Sequence, residues 1–326
     1  MRAIVCNAYG DPRDLVLTDV PAPSASAGEV IIQVEAAGLG YVDALHVRGG
    51  YQVKKPLPFI PGSEVAGLII AIGSNVSPEL MGQRVTALSS NGGLAEQIAV
   101  PATSCMQLPD GFSSDAAASA LLNYCTGLYG LETCGQLRAG ETVLVLGASG
   151  GVGLAAIDIA KGLGATVAAA ASSDDKLASC RARGADLTVN YSQPDWRKTL
   201  ETELAGRPLT VIYDPVGGAW SETAFRCLSP GGRHLVVGFA GGEIPRIPLN
   251  LPLLKRSSIV GVDWGGYVRN NSADATPVMQ RLADLVSSGK ITPRPTATYP
   301  LDEAPWALEQ LMTRGNVGKP VIVFPH

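Results

Sequence analysis

The residues best suited to chemistry lie in the run TVLVLGASGGVGLAAIDIAKGLG, from Thr142 to Gly164. Val143 to Leu146 is a short apolar segment of the kind that forms a buried strand. It empties into Gly147-Ala148-Ser149-Gly150-Gly151-Val152-Gly153, after which Gly153, Ala156, Ile157 and Ala160 recur at helical spacing. Strand, glycine turn and helix in this order make a pyrophosphate-binding unit. The glycines let the backbone approach two phosphates, and the free N–H groups and positive dipole end of the helix face them. The ligand this implies is a dinucleotide, and the chemistry is redox. Ser149, Gly150, Gly151 and Val152 are the residues expected at the pyrophosphate. The strict glycine spacing would begin at position 148, which is Ala148. A tight turn that binds nothing is therefore the competing reading of the motif alone.

The surrounding pattern favours the binding reading. From about 122 to 257 strands and helices alternate. Strand candidates are Thr142–Leu146, Thr166–Ala170, Leu187–Asn190, Thr210–Tyr213, Leu235–Val237 and Ile259–Val262. Helical stretches at 152–163, 174–183, 194–204 and 219–228 lie between most of them. This rhythm implies a parallel sheet covered on both faces, with the glycine turn after its first strand, where a nucleotide domain needs it. Residues 1–120 read instead as β-rich. Val30–Glu35, Val65–Ile72, Arg84–Leu88 and Ala95–Val100 are strand candidates set off by glycine and proline, as in a compact, partly closed barrel. In the tail, Val278, Leu282 and Leu285 form the inner face of one helix, and PTATYPLDEAPWALEQL gives a strand and another helix. Val321 to Phe324 makes a closing strand.

Bulk properties narrow the class. A chain of 326 residues that is 46% hydrophobic and 17% charged can fill two sizeable cores. A net charge of −4 with scattered Lys and Arg gives no nucleic-acid footprint. No apolar run nears the ~18 residues of a membrane span, and MRAIVCNAYGDP lacks the features of a signal peptide. Cys6, Cys105, Cys125, Cys134, Cys180 and Cys227 are far apart and form no C-x-x-C. They read as reduced thiols of a cytoplasmic protein.

Several segments together carry a resemblance: AAGLGYVDALHVRGGYQ (36–52), PFIPGSEVAG (58–67), GQRV (82–85), LGASGGVGLAAIDIAKGLGA (146–165), Asn190-Tyr191, YDPVGG (213–218), GFAGGEIP (238–245) and GNVGKPV (315–321). In these the chain resembles, nearly end to end, the zinc-free, NADPH:quinone oxidoreductase-like branch of the medium-chain dehydrogenase/reductase superfamily. The resemblance implies an α/β protein in which a Rossmann doubly wound parallel sheet, residues 122–258, is inserted into a GroES-like, partly closed β-barrel catalytic domain, residues 1–121 and 259–326. It also implies a homodimer joined through the nucleotide-domain sheet edge, with Ser258–Val262 at the seam.

The zinc alcohol dehydrogenases of the superfamily hold their metal with a Cys, a His-Glu pair and a second Cys or His. The matching positions here are Gly40 and Ser63-Glu64, and one carboxylate is too poor a donor set for catalytic zinc. The four-cysteine lobe is absent, and His46, His234 and His326 are scattered. No metal is therefore expected. Without a Lewis acid, hydride delivery to an electron-poor acceptor is easier than alcohol oxidation.

The second strand of an NAD-binding fold usually ends in Asp or Glu, which grips the ribose hydroxyls. Here it runs into Ala171-Ser172-Ser173. A carboxylate ~4 Å from the extra phosphate of NADP would cost on the order of 4 kcal/mol at intermediate dielectric, so its absence leaves room. Ser172 and Ser173 can donate hydrogen bonds and Lys176 can pair with the phosphate. The resemblance adds Tyr191 to that group, and NADPH is the cofactor expected. NADH is the alternative, because Asp174 stands near the distance of a ribose acid. Asp174 and Asp175 equally suit the first turn of the next helix, with Ser173 as its cap. By the family pattern, Thr126, Val216, Gly238, Phe239, Trp264, Asn316 and Lys319 lie near the rest of the cofactor.

The acceptor end is less defined. Quinone oxidoreductases carry Asn-x-x-Asp-x-Tyr where this chain has Gly40-Tyr41-Val42-Asp43-Ala44-Leu45. Asp43 is kept, while the Asn and Tyr are replaced by Gly40 and Leu45. Tyr41, Asp43 and Tyr51 are the catalytic candidates. The two tyrosines either orient a carbonyl oxygen or pack, and Asp43 and Arg48 either act in chemistry or fix the loop. Leu45, Arg48, Asn123 and Trp264 are expected in the acceptor pocket, and Tyr124 is a further candidate there. Three functions remain open at this level: reduction of a quinone or other activated alkene or carbonyl, reduction of a 2-enoyl thioester or enone, and a dinucleotide-bound protein without catalysis.

Overall fold

The computed structural model describes residues 1–109, 111–270, 275–313 and 315–325. Its residues cluster into two units, Met1–Leu122 with Pro293–His326, and Asn123–Thr292.

In chain order the first unit begins with β1 (Arg2–Val5), β2 (Val16–Asp19), β3 (Glu29–Gly38), α1 (Tyr41–Val47), β4 (Glu64–Ile72), β5 (Arg84–Leu88), β6 (Gln97–Pro101), β7 (Cys105–Gln107) and α2 (Ser114–Leu128). Strand β3 organises it. Along β3 the chain pairs antiparallel with β4, and the other edge takes β6 near its start and the closing strand near its end. Register shifts at Ile31/Ile32 and Val34/Ala36 bend it, as bulges do in barrel-like sheets. Val30, Ile32, Val34, Val65, Ile69, Val85 and Val100 fill the core together with Leu301, Leu308, Ile322 and Phe324 of the tail. That shared burial is why the C-terminal segment belongs to this unit.

The second unit is the expected alternation: β8 (Thr142–Leu146), α3 (Gly151–Gly162), β9 (Thr166–Ala171), α4 (Asp174–Ala182), β10 (Leu187–Asn190), α5 (Trp196–Leu204), β11 (Val211–Asp214), α6 (Gly218–Cys227), β12 (Arg233–Val236), α7 (Asn250–Lys255), β13 (Ser258–Gly261), α8 (Trp264–Asn270) and α9 (Ala275–Ser287). The six strands lie in the order β10-β9-β8-β11-β12-β13, every pair parallel. β8 is buried along its whole length, as a strand covered on both faces must be. The chain winds outward from β8 to β10 and then returns to β11 beside β8. This reversal is the topological switch point at which α/β sheets bind ligands. The tail completes the first unit with β14 (Ala297–Pro300), α10 (Ala304–Met312) and β15 (Pro320–Val323).

Three expectations are corrected. The second domain boundary falls at 292/293, not 258/259. β13 hydrogen-bonds to β12, and Arg281 of α9 pairs with Glu132 at 2.7 Å, so 259–292 stays with the parallel sheet. The inner face of α9 is Met279, Leu282 and Leu285, with Val278 only partly buried. The 15-residue helix α2 begins inside the stretch read as β-rich and runs past its end. Its Ala116, Ala117, Ala118, Ala120, Leu121, Tyr124 and Cys125 are buried around several faces, so no polar stripe marks it as helical.

Candidate functional site

The nucleotide half is built on the C-terminal ends of the parallel strands. Leaving β8, Gly147 adopts φ +57, where a Cβ would lie 2.6 Å from Val216 Cγ2. A Cβ on Gly153 would meet Gly147 O at 2.4 Å and Ala148 Cα at 2.7 Å, so the helix starts in close contact with the turn. Gly150 is the N-cap of α3 and supplies no side-chain hydrogen bond. The first-turn amides of a 12-residue helix are thus left without a side-chain cap at the switch point. Ala148, in the slot of the missing glycine, is fully buried and leaves this arrangement intact. Ser149, Gly150, Gly151 and Val152 all lie on this turn.

The next strand end gathers the group expected at the ribose. Lys176 Nζ donates to Ser172 Oγ at 3.2 Å, and Ser192 Oγ donates to the Ser172 carbonyl at 3.1 Å. Tyr191 lies against Trp220, with ring centroids 5.0 Å apart, and Trp220 Nε1 donates to its carbonyl. Ser173 is spent differently: it caps α4, its hydroxyl accepting the Lys176 amide at 3.5 Å. Asp174 sits exposed in the first turn of α4, 3.5 Å from Asn190 Nδ2. That is the helix-turn position of the two readings open for it.

Val216 follows β11, and Gly238 and Phe239 follow β12, so all three stand at strand ends of the same sheet. Thr126 is partly buried on α2 beside Gly127, where a Cβ would lie 2.5 Å from Ile159 of α3. Asn123 is buried one helical turn earlier. Tyr124 is not available to an acceptor. Its hydroxyl donates to Asp158, which also pairs with Arg183 at 2.7 Å, and this buried triad ties α2 and α4 to α3. Trp264 is buried against Tyr129 and Tyr267, whose rings stack at 4.6 Å. That aromatic cluster was not legible in the sequence, because its members are 138 positions apart (129 to 267) with no shared periodicity.

In the first unit, Gly40 N-caps α1 and Asp43 reaches back to it. Asp43 Oδ2 accepts the Gly40 amide at 2.8 Å, and Oδ1 accepts the Ser63 hydroxyl at 2.8 Å. Burial pushes the Asp43 carboxyl up against the Gly40 amide, the charge of Lys319 and the Ser63 bond. At 2% exposure and with both oxygens engaged, Asp43 ties the start of α1 to Ser63. Tyr41 opens α1, and Leu45 is half-buried on it. Arg48 caps α1 and is exposed. Tyr51 packs on His46 at 4.6 Å. The His46 imidazole is pulled down to about 4, first by burial and then by the charge of Lys55.

Lys319, expected beside the cofactor, is 5% exposed, and its ammonium is committed to Glu64 Oε2. The other Glu64 oxygen accepts the Leu122 amide at 3.1 Å. Both oxygens of the one surviving zinc-type residue are therefore occupied, Ser63 is bound to Asp43, and Gly40 has no side chain. This donor set does not fit a catalytic zinc. Among the described residues no group of three or more His, Cys, Asp and Glu is placed to hold a metal; His326 lies outside them. Asn316 makes a local bond to the Gly318 carbonyl at 3.5 Å.

Comparison with known proteins matches this architecture. The family model for an alcohol dehydrogenase GroES-like domain matches residues 26–110, and that for a zinc-binding dehydrogenase matches 151–284. Quinone oxidoreductase-like protein 2 of Rattus norvegicus is 35% identical over 98% of this chain and 91% of its own. A mycobacterial protein solved in complex with NADPH superposes with a TM-score of 0.90 at 30% identity, over 99% of this chain and 100% of that one. The CurK enoyl reductase superposes with a TM-score of 0.88 at 26% identity, over 99% of each chain.

Proposed function

Since the chain belongs to the quinone oxidoreductase-like family of the medium-chain dehydrogenase/reductase superfamily, we propose that it is an NADPH-dependent, zinc-independent reductase of quinones or other activated alkenes and carbonyls. The observation that carries this reading is the glycine turn at the switch point, followed by a strand end that offers Ser172 and Lys176 and no carboxylate from the strand itself. A similar protein was solved with NADPH, which supports the same cofactor here.

The bound dinucleotide would supply a hydride. The chain's own residues bind and orient. The amides of Gly151 and Val152 and the helix dipole of α3 hold the pyrophosphate. Lys176 and Ser172 hold the 2′-phosphate, with Tyr191 beside them. Val216, Gly238 and Phe239 frame the nicotinamide end. On the acceptor side, Tyr41 and Tyr51 offer phenols to a carbonyl oxygen, beside Leu45 and Arg48, and the proton that completes the reduction comes from water. Glu64 cannot serve a metal while Lys319 holds it.

A second reading, reduction of a 2-enoyl thioester or enone, is favoured by Leu45 in place of the quinone-site tyrosine and by the likeness to an enoyl reductase. NADPH oxidation followed with phenanthrenequinone, an enone and crotonyl thioesters separates the two, and a chain that turns over none of them is a binding protein. Failure to bind NADPH at sub-millimolar concentration would sink both enzymatic readings.

We further propose a cytoplasmic homodimer. All six cysteines are free, as in a reducing compartment, and no helix among the described residues is long and apolar enough to cross a membrane. β13 ends the sheet, and near it in sequence Ile244, Leu249, Leu253 and Leu254 are 67–80% exposed. An open strand edge with apolar side chains close by in the chain suits pairing with a second copy.

A further inference from the structure

One buried ion in the parallel sheet is unexplained by packing. Asp214 ends β11 and is 2% exposed, where an apolar residue would be favoured. Its carboxylate is fully satisfied. Oδ1 accepts the amides of Val216 and Gly217, each at 2.9 Å. Oδ2 accepts the Ser221 hydroxyl at 2.5 Å and lies 3.0 Å from His234 Nε2. Ser221 and His234 are both completely buried. Burial opposes the charge of Asp214, but the bonds from His234, Ser221 and Gly217 outweigh it and hold the carboxyl below its usual range. The ionised oxygen makes Nε2 the donor of this bond, and Nδ1 of His234 has no hydrogen-bond partner.

What these four bonds hold is a loop with little stiffness of its own. Gly217 and Gly218 both take positive φ, +71 and +63, a conformation glycine adopts for want of a Cβ, and glycine is the most flexible residue when nothing holds it. From Asp214 outward the loop is laced to the next strand end. The Asp214, Pro215 and Val216 carbonyls accept the amides of Val237, Ala240 and Gly241 at 2.9, 3.0 and 2.7 Å. Gly218 in turn donates to the Glu243 carbonyl at 2.9 Å. On its other side the Val216 side chain closes against Gly147. The glycine turn, the loop after β11 and the loop after β12 are thus referred to a single carboxylate.

We propose that Asp214 is a positioning residue for the nicotinamide dinucleotide: Ser221 and His234 fix its carboxylate, and Val216 and Gly217 carry that placement to the loops that frame the cofactor. The proposal rests on reading this strand end as the nucleotide site. Asp214 touches no reacting atom and acts only through the backbone it holds.

The test compares Asp214→Ala, Ser221→Ala, His234→Leu and His234→Gln in the full chain. Nicotinamide fluorescence gives NADPH affinity, steady-state kinetics gives KM and kcat, and amide hydrogen exchange without nucleotide reports the loop. Asp214→Ala should bind NADPH about ten-fold more weakly, and His234→Leu about three- to five-fold, as loss of charged hydrogen bonds predicts. In both, kcat at saturating NADPH stays within about three-fold of the native value, because the loss is in binding. His234→Gln, which can offer an amide N–H in place of the imidazole N–H, should recover native affinity within about two-fold. The amides of Val216, Gly217 and Gly241 should exchange faster in Asp214→Ala. Native-like NADPH affinity in folded Asp214→Ala or His234→Leu overturns the proposal, as does His234→Gln behaving like His234→Leu. If Asp214→Ala does not fold, the His234 pair carries the test. Failure of the native chain itself to bind NADPH refutes the nucleotide reading and is seen before any variant is made.

Discussion

Replacing Lys319 by Met should make the stability of the first unit fall with rising pH. Glu64 is fully buried and Lys319 5% exposed, so neither is screened by water. Between pH 6 and 8 the folded pair binds one proton, wherever it rests, and the unfolded chain also binds one, on the lysine. Equal proton counts give no slope. In Lys319→Met the carboxyl is left alone in a dry site where burial already pushes it up, so it folds protonated and unfolds ionised. Folding then takes up a proton, and stability falls by about 1.36 kcal/mol per pH unit. Counted upward from the ordinary value of 4.5, the loss accumulates with each pH unit until the raised folded value is passed. The sign follows from a raised folded pKa: the contribution is intact below 4.5 and is lost as pH rises. Asp43, which also feels the Lys319 charge, steepens the same slope. Glu64→Gln, which removes the buried carboxyl, should not show this fall with rising pH. The double variant should be flat again and about as stable as the native chain, since an apolar replacement of a buried pair is close to neutral. Urea unfolding at pH 6, 7 and 8 measures all four. Parallel pH profiles for the native chain and the two single variants would refute the reasoning, because they would mean that water reaches the pair.

The remaining expectations concern the nucleotide unit. Removing Lys176 and Ser172 together, as K176A/S172A, should weaken NADPH binding by about 10- to 100-fold and NADH binding by less than about two-fold; equal losses for both cofactors in calorimetry would contradict the 2′-phosphate reading. Gly153→Ala places a Cβ 2.4 Å from the Gly147 carbonyl oxygen. It should cost about 1–3 kcal/mol in thermal unfolding and abolish detectable nucleotide binding, and a variant that binds normally would show that the turn has slack. Leu253→Glu with Leu254→Glu puts charges on side chains that are 76% and 74% exposed, and should convert a dimer to monomer in analytical ultracentrifugation. An unchanged sedimentation coefficient would place the interface elsewhere.

The parallel sheet and its glycine turn were legible in the sequence because their signals are local. An apolar run, a glycine turn and a helical stripe each lie within about 20 residues of one another. Strands β3 to β6 were legible for the same reason, while β1, β2 and β7 were not, nor was α2, since a helix buried on several faces loses the polar stripe that marks it. Ser172 and Lys176 could be read as neighbours because only four residues at a helical start separate them. Asp43 and Lys319 were named, but their roles could not be read. Which group an ionisable side chain meets depends on strands that are distant in the chain, and Lys319 finds Glu64 across 255 positions. The Asp214 cluster was also out of reach as a cluster. YDPVGG shows an acid before two glycines, a turn signal, but only the parallel pairing of β11 with β12 sets Asp214 beside His234. The sequence alone determined the kind of ligand and the sheet that receives it, through short-range spacing. Tertiary structure decided which buried charges are spent on holding loops, because burial and charge pairing are properties of the assembled core.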